Sequence, residues 1–179
     1  MSRASRRWAE RMAETSNRTS PWLIAGRVIF TLALVGCIVF IFSNSMEIAD
    51  ASSMSSGRVL ALLQKLLRAL GHPALANRLT MHIVRKMAHF CEYALEGFLL
   101  MLCMRAYTRR YLWHVSVPML GGVLTAMTDE TIQLFSAGRS SQVTDVWLDS
   151  CGVLAGILTA LLVMALCRLL FHHRDRKKE

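Results

Sequence analysis

The sequence predicts an all-α integral membrane protein, a bundle of four transmembrane helices with an amphipathic helix in the first extracytoplasmic loop. The 179 residues are 54% hydrophobic with a mean hydropathy of +0.37, yet they include 21 Lys and Arg against 12 Asp and Glu. The basic residues lie in blocks between apolar runs, which is typical of membrane proteins with basic loops. They are not clustered on an aromatic-studded polar face, so a nucleic-acid partner is not expected.

Four apolar segments are each long enough to cross a bilayer, which takes about 20 residues in a helix. They are residues 23–42, 83–104, 112–135 and 143–167. No alternating strand pattern is present, so we expect helices, because lipid accepts only helices and closed barrels. The predicted organisation is a basic cytoplasmic tail at 1–21, a four-helix membrane domain at 22–168 and a second basic cytoplasmic tail at 169–179.

The distribution of Lys and Arg predicts the orientation, because short loops rich in these residues remain cytoplasmic. Thirteen lie in the two tails and in the loop after the second segment, whereas five lie in the other two loops. We therefore expect both termini in the cytoplasm.

The long first loop, residues 43–81, begins polar and then becomes RVLALLQKLLRALG. At about 100° per residue, its basic residues share one side of a helix and its leucines cover much of the rest. The basic residues are Arg58, Lys65 and Arg68, and the leucines are Leu60, Leu63, Leu66, Leu67 and Leu70. This pattern predicts a helix closed by Gly71 and Pro73, lying either on the outer leaflet or across the mouth of the bundle.

Ionisable residues recur at helical spacing in the second segment. Arg85, His89, Glu92 and Glu96 fall within an arc of about 60°. Lys86 and Tyr93 flank this face. Two acids inside a span cost about 5–7 kcal/mol on insertion scales, more than the leucines and phenylalanines of the segment return. The acids therefore need partners in other helices.

The third and fourth segments supply further polar faces. Asp129 and Gln133 share a face of the third segment with Gly122 and Thr125, and Glu130 lies beside them. In the fourth segment, Asp145 and Asp149 share a face with Gly152 and Gly156, which form a GxxxG pattern. Small residues at this spacing let two helices approach closely, so we expect the two aspartates to be held against a neighbouring helix.

Chain direction places all of these groups in the half of the bilayer toward the outer leaflet. Because successive helices alternate in direction, the polar ends of the four segments meet toward the outer leaflet, and Glu96 is deepest, ~16 Å below Arg85 at 1.5 Å per residue. Six of the twelve acids belong to this zone. The sequence therefore predicts an outward-facing polar pocket.

At these positions the chain resembles the VanZ-like family of membrane proteins. The matching stretches are FSNS, RKMAHFCEYALEGFLL and TDETIQLFSAGRSSQVTDVWLDSCGVLAG, and the resemblance covers about residues 28–165. It places the family's signature on a set of ten residues. They are Lys86, His89, Glu92, Tyr93, Asp129, Glu130, Gln133, Arg139, Asp145 and Asp149. Ile132 departs from the family, in which many members carry His before the glutamine.

The resemblance implies a bacterial plasma-membrane protein associated with resistance to lipoglycopeptide antibiotics such as teicoplanin, without an established reaction. Our prediction is a pocket that binds, and in an enzymatic version modifies, an envelope lipid or lipid-linked head group, with self-association left open. Candidate catalytic residues are His89, Glu92, Asp129, Glu130 and Asp145. Candidate ligand-binding residues are Arg85, Lys86, Tyr93, Glu96, Gln133, Arg139 and Asp149.

Several alternatives remain open from the sequence. In the enzymatic version, His89 or Glu92 is the general acid or base while Arg85 and Arg139 hold a phosphate. The other versions are a structural ion-pair network and an ion- or proton-coupled transporter. No cofactor is assigned. His89 and Glu92, with neighbouring acids, have ligand types that suit Mg²⁺, Mn²⁺ or Zn²⁺, so a metal site is one further hypothesis.

Overall fold

The computed structural model describes residues 21–46, 49–108, 111–136 and 142–176. Within them the chain forms six helices and no strand. They are α1 (Pro21–Met46), α2 (Ala49–Ala69), α3 (Pro73–Arg78), α4 (Met81–Tyr107), α5 (Tyr111–Leu134) and α6 (Val143–Arg176). The predicted all-α class is confirmed.

The number of membrane spans differs from the prediction. In the described residues, three helices are long and apolar enough to cross a membrane: α1, α4 and the Val143–Leu170 part of α6. Helix α5 forms where the third span was predicted but is not among them, so the prediction of four spans was wrong by this criterion. The reason is composition: His114, two glycines, several threonines and the acids Asp129 and Glu130 lower the mean hydropathy of α5.

Contacts at the helix ends give the relative directions of α1 and α4. Near the start of α1, the Arg27 guanidinium lies 5.3 Å from the centre of the Tyr107 ring, at the end of α4. Near the other end of α1, Asn44 Nδ2 donates a hydrogen bond of 2.8 Å to Oε1 of Glu92. The two helices are therefore antiparallel, as alternating spans require.

Two further contacts orient α5 and α6. Ser136 Oγ, just beyond the end of α5, donates to the backbone oxygen of Ser45 at 3.0 Å, so α5 and α1 end on the same side. Lys86 and Asp145 contact each other near the starts of α4 and α6. Consequently, the polar ends of α1, α4, α5 and α6 meet at one end of the bundle, here called the polar end.

Glycines bring α4 and α6 together. A methyl group added at Gly156 would collide with the backbone oxygen of Ala94, and one at Gly152 would lie 2.7 Å from that of Phe90. On α4, a methyl group at Gly97 would collide in turn with the backbone of Val153. The predicted role of the GxxxG pattern is confirmed, because the two backbones approach to a distance that only glycine permits.

Helix α2 starts earlier than predicted and ends as predicted. Residues from Ala49, assigned to a polar loop from the sequence, are already helical. At the other end, Gly71 has φ 82°, and the amides of Gly71 and His72 donate to the carbonyls of Arg68 and Leu67 at 3.1 and 2.8 Å. This is a Schellman motif, which requires a residue with positive φ and so favours glycine.

Helix α2 has three faces. Half-buried Leu60, Leu63 and Leu67 share the first with Gln64, whose Nε2 donates to the backbone oxygen of Leu79 at 3.3 Å. The second face carries the exposed basic residues. The third is an exposed apolar stripe of Val59, Leu62, Leu66 and Leu70. The helix therefore packs on its neighbours and also leaves an apolar surface uncovered by the described residues.

A small apolar core fills the bundle beyond the polar end. Its members include fully buried Ile41, Val153, Ile157 and Ala160 together with Met101. They follow the polar residues along α4 and α6, so they form a layer across the middle of the bundle. The outer faces of the long helices carry many exposed leucines and valines, as expected where lipid covers a protein surface.

Candidate functional site

A polar cavity of about 120 Å³ lies at the polar end of the bundle. It is lined by residues of α4, α5 and α6 and by Gln142 before α6. The lining residues are His82, Arg85, Lys86, His89, Glu130, Gln133, Gln142, Asp145, Leu148 and Asp149. Seven of these ten are candidate site residues from the sequence, so the structure brings the predicted groups from separate segments into one site.

Basic groups lie on the α4 side of the cavity. Lys86 Nζ lies 2.8 Å from Oδ1 of Asp145, and both side chains are partly exposed, at 35% and 27%. Arg85 is half-buried and also lines the cavity. The side chains that carry positive charge therefore lie where solvent still reaches, and they can contact an anion that enters the cavity.

Two aspartates form the buried part of the site. Asp129 is fully buried, and its Oδ2 accepts a hydrogen bond of 3.0 Å from Nε2 of Gln133. Asp149 is 1% exposed. Within the described part of the chain, Oδ1 of Asp129 and both carboxylate oxygens of Asp149 have no hydrogen-bond partner. Such groups are costly to bury unless something compensates their polarity.

His89 connects these aspartates to the cavity. One potential ligand atom each from His89, Asp129 and Asp149 lies within 4.8 Å of the other two. His89 and Asp149 also line the cavity, so the cluster borders open space. The sequence hypothesis of a metal site paired His89 with Glu92, but Glu92 faces α1 and accepts the hydrogen bond from Asn44.

Tyr93 and Glu96 lie behind the cavity rather than on its surface. Both are fully buried, and the Tyr93 hydroxyl has no hydrogen-bond partner among the residues that the structure describes. Glu96 lies one turn beyond Glu92, beside Thr125 of α5. The bundle therefore encloses the deepest acid of α4, as expected from the cost of exposing it to lipid.

Glu130 and Gln133 connect α5 to neighbouring segments. Oε2 of Glu130 accepts a hydrogen bond of 3.1 Å from the backbone amide of Gln142, and Nε2 of Gln133 lies 3.4 Å from Oγ of Ser45. These contacts hold the end of α5 against the start of α6 and the end of α1. Their effect is to fix the wall of the cavity.

The structure adds residues that the sequence did not select. Asn44, Ser45 and Gln142 contact site residues, and His82 lines the cavity. Asn44 and Ser45 belong to the FSNS stretch, which was a usable signal. Ser43, in the same stretch, is exposed and donates to the Val39 carbonyl. The candidate Arg139 lies outside the described residues.

An apolar groove adjoins the polar cavity. It has a volume of about 330 Å³ and is lined by Ile83, Lys86, Met87, Phe90, Cys91 and Leu148. Lys86 and Leu148 line both spaces. The site therefore presents a charged compartment and an apolar compartment side by side.

Comparison with known proteins gives one match. The family model VanZ/LLP1 matches residues 28–165, a range that contains every candidate site residue. No curated protein and no solved structure matches the chain.

Proposed function

This chain belongs to the VanZ/LLP1 family, and from that premise we propose that its cavity binds the head group of an envelope lipid or lipid-linked precursor. It is a multi-pass membrane protein by its family and its three apolar helices. The proposal places it in the bacterial inner membrane with the polar end outward. Helix α5, although less apolar than the three spans, returns the chain along the bundle to the polar end, so that both termini are cytoplasmic. Binding there is proposed to underlie an association with lipoglycopeptide (teicoplanin) resistance.

The observation that carries the proposal is the pairing of the polar cavity with the apolar groove. An amphiphile has an anionic or polar head joined to an acyl or prenyl chain, and these parts require a charged compartment next to an apolar one. Arg85 and Lys86 offer charge-assisted hydrogen bonds to a phosphate, whereas Met87, Phe90 and Cys91 offer apolar surface to a chain. Lys86, which lines both compartments, lies where head and chain join.

The apolar middle of the bundle favours binding over transport. A second cavity of about 350 Å³ lies toward the opposite end, lined by residues that include Arg105, His114 and Arg168. The buried layer with Val153 and Ile157 separates it from the polar cavity along α6. A coupled transporter would need a polar path across that layer.

Helix α2 is proposed to extend this membrane contact. Its exposed apolar stripe and its neighbouring basic residues suit the surface of a leaflet that carries anionic lipids. The face toward α3 and α4 would keep the helix beside the bundle. In this proposal the helix lies on the outer leaflet and also packs against the bundle, which combines the two positions considered from the sequence.

The test is mass spectrometry of lipids that remain with the full chain when it is extracted in polymer-bounded native nanodiscs. We expect one lipid class to be enriched over the bulk membrane. Arg85→Gln should lower the enrichment by removing a cationic contact, and Cys91→Trp should lower it by filling the groove. The matched controls are Arg105→Gln on the same helix and Cys167→Trp, an exposed cysteine of α6 away from the groove.

The proposal is overturned if the wild-type protein holds only bulk lipid, or if the site variants and their controls retain the same enriched class. The resistance part is measured separately, as teicoplanin susceptibility of a host that expresses each variant, beside its melting temperature and membrane abundance. We expect Arg85→Gln to lose the phenotype while folding is retained. Parallel loss of folding and phenotype would support a purely structural role for the charged groups.

A further inference from the structure

The cluster of His89, Asp129 and Asp149 combines three helices at one point. Each residue lies on a different helix, and one potential ligand atom from each lies within 4.8 Å of the other two. The glycine contacts between α4 and α6 bring His89 and Asp149 together, because Gly152 lies less than one turn after Asp149 and packs on Phe90 beside His89. The approach of His89 to Asp149 therefore follows from close backbone packing between α4 and α6.

Burial of the two aspartates supplies an independent reason to expect a cation. Asp129 and Asp149 are 0% and 1% exposed, and three of their four carboxylate oxygens have no hydrogen-bond partner in the described residues. A buried carboxylate that stays ionised needs a partner or a bound ion to compensate its charge. Of the two basic residues of α4 that line the cavity, Lys86 is engaged with Asp145, and Arg85 forms no ion pair with either aspartate in the described residues.

We propose that His89, Asp129 and Asp149 bind one divalent transition-metal ion, Zn²⁺ or Mn²⁺. The donor set is one imidazole nitrogen with carboxylate oxygens, which these ions accept, whereas Ca²⁺ and Mg²⁺ are usually bound by oxygen ligands alone. Gln133 would orient the metal ligand Asp129, since its Nε2 donates to Oδ2 of Asp129 and leaves Oδ1 available for the ion.

The polar cavity gives the ion access and an open coordination position. His89 and Asp149 both line it, so a hydrated ion can enter from the polar end without crossing the apolar layer. Three protein ligands leave at least one position of a four-coordinate ion for water or another oxygen ligand. The metal proposal does not require that the cavity binds lipid.

The experiment measures metal in the purified full chain after growth with Zn²⁺ and Mn²⁺, after chelation and after reloading. We expect about one ion per chain and a higher melting temperature on reloading, because an ion that binds only the folded protein stabilises it. His89→Gln, Asp129→Asn and Asp149→Asn should each weaken binding at least about tenfold, since each removes one of three ligands. His82→Gln changes the same residue type on the same helix as His89 and should retain the ion.

Cobalt serves as a spectroscopic probe that does not depend on the variants folding. We expect Co²⁺-loaded wild-type protein to show visible absorption of a nitrogen and oxygen site, without thiolate charge-transfer bands from the five cysteines. The proposal is overturned by thiolate bands, by wild-type protein that takes up no Zn²⁺ or Mn²⁺, or by folded ligand variants that bind as well as the wild type. Lipid enrichment measured on chelated protein shows whether the lipid proposal stands or fails separately.

Discussion

Lys86 Nζ lies 2.8 Å from Oδ1 of Asp145, which joins α4 to the first turn of α6 at the polar end of the bundle. Asp145 is also well placed for the dipole of α6, because a negative charge is favourable near a helix N-terminus. Only one turn further along α6, Asp149 is buried without such a partner among the described residues. Two acids on one helix face thus have different surroundings, and only the partly exposed one is paired with a lysine.

The Lys86–Asp145 pair is expected to couple α4 to α6. Lys86→Gln should lower the melting temperature, because it leaves Asp145 without its cation, and adding Asp145→Asn should recover part of the loss. A double-mutant cycle should give a coupling of about 0.5–3 kcal/mol. Lys65→Gln, on the exposed basic face of α2, is the control and should leave stability unchanged. Additive effects of the two substitutions would contradict a direct interaction.

The glycine seam predicts opposite effects for the same substitution at two positions. Gly156→Ala should destabilise the protein by about 1–3 kcal/mol, because the new methyl group overpacks the contact with the backbone of Ala94. Gly36→Ala in α1 meets no atom within 4 Å and should be neutral or stabilising by up to about 1 kcal/mol through helix propensity. Thermal unfolding in detergent compares them. If the Gly156→Ala and Gly36→Ala variants melted at the same temperature, the contact between α4 and α6 would accept a methyl group without loss of stability, which would contradict the prediction.

The proposed orientation predicts which loops are accessible from outside the cell. In a background without its five cysteines, Asn77→Cys should be labelled by an impermeant thiol reagent in intact cells. Thr108→Cys should be labelled only after permeabilisation, because it follows α4 at the opposite end of the bundle. Labelling of position 108 alone in intact cells would reverse the topology and move the cavity to the cytoplasmic side.

The three faces of α2 predict three environments for a spin label in lipid vesicles. Labels at Leu62 and Leu66, on the exposed apolar stripe, should be accessible to oxygen, which concentrates in lipid. A label at Lys65 should be accessible to a water-soluble nickel complex, and one at Leu63 should be immobilised by packing. If the labels at Leu62 and Leu66 respond to the nickel complex like that at Lys65, the stripe faces water and α2 is not interfacial.

Local patterns in the sequence determined the helices and the depth of the polar residues. The length of the apolar runs placed α1, α4 and α5 close to their observed bounds and placed the start of α6. Chain direction put Glu92, Asp129 and Asp145 at one end, because alternating helices in a bundle are antiparallel. The closure of α2 at Gly71 was also local, since it depends on a residue that adopts positive φ. The third apolar segment was predicted to span the membrane, but α5 is not among the helices that are apolar enough to do so. Its own polar residues lower its hydropathy.

The tertiary structure decided which of these polar residues meet. A helical wheel places His89 and Glu92 on one face, but it does not give the rotation or the axial offset of the neighbouring helices. Those follow from backbone contacts at Gly97, Gly152 and Gly156, between segments more than 50 residues apart. In the folded bundle Glu92 binds Asn44, while His89 lies beside Asp129 and Asp149. This grouping depends on packing between helices and not on spacing within one.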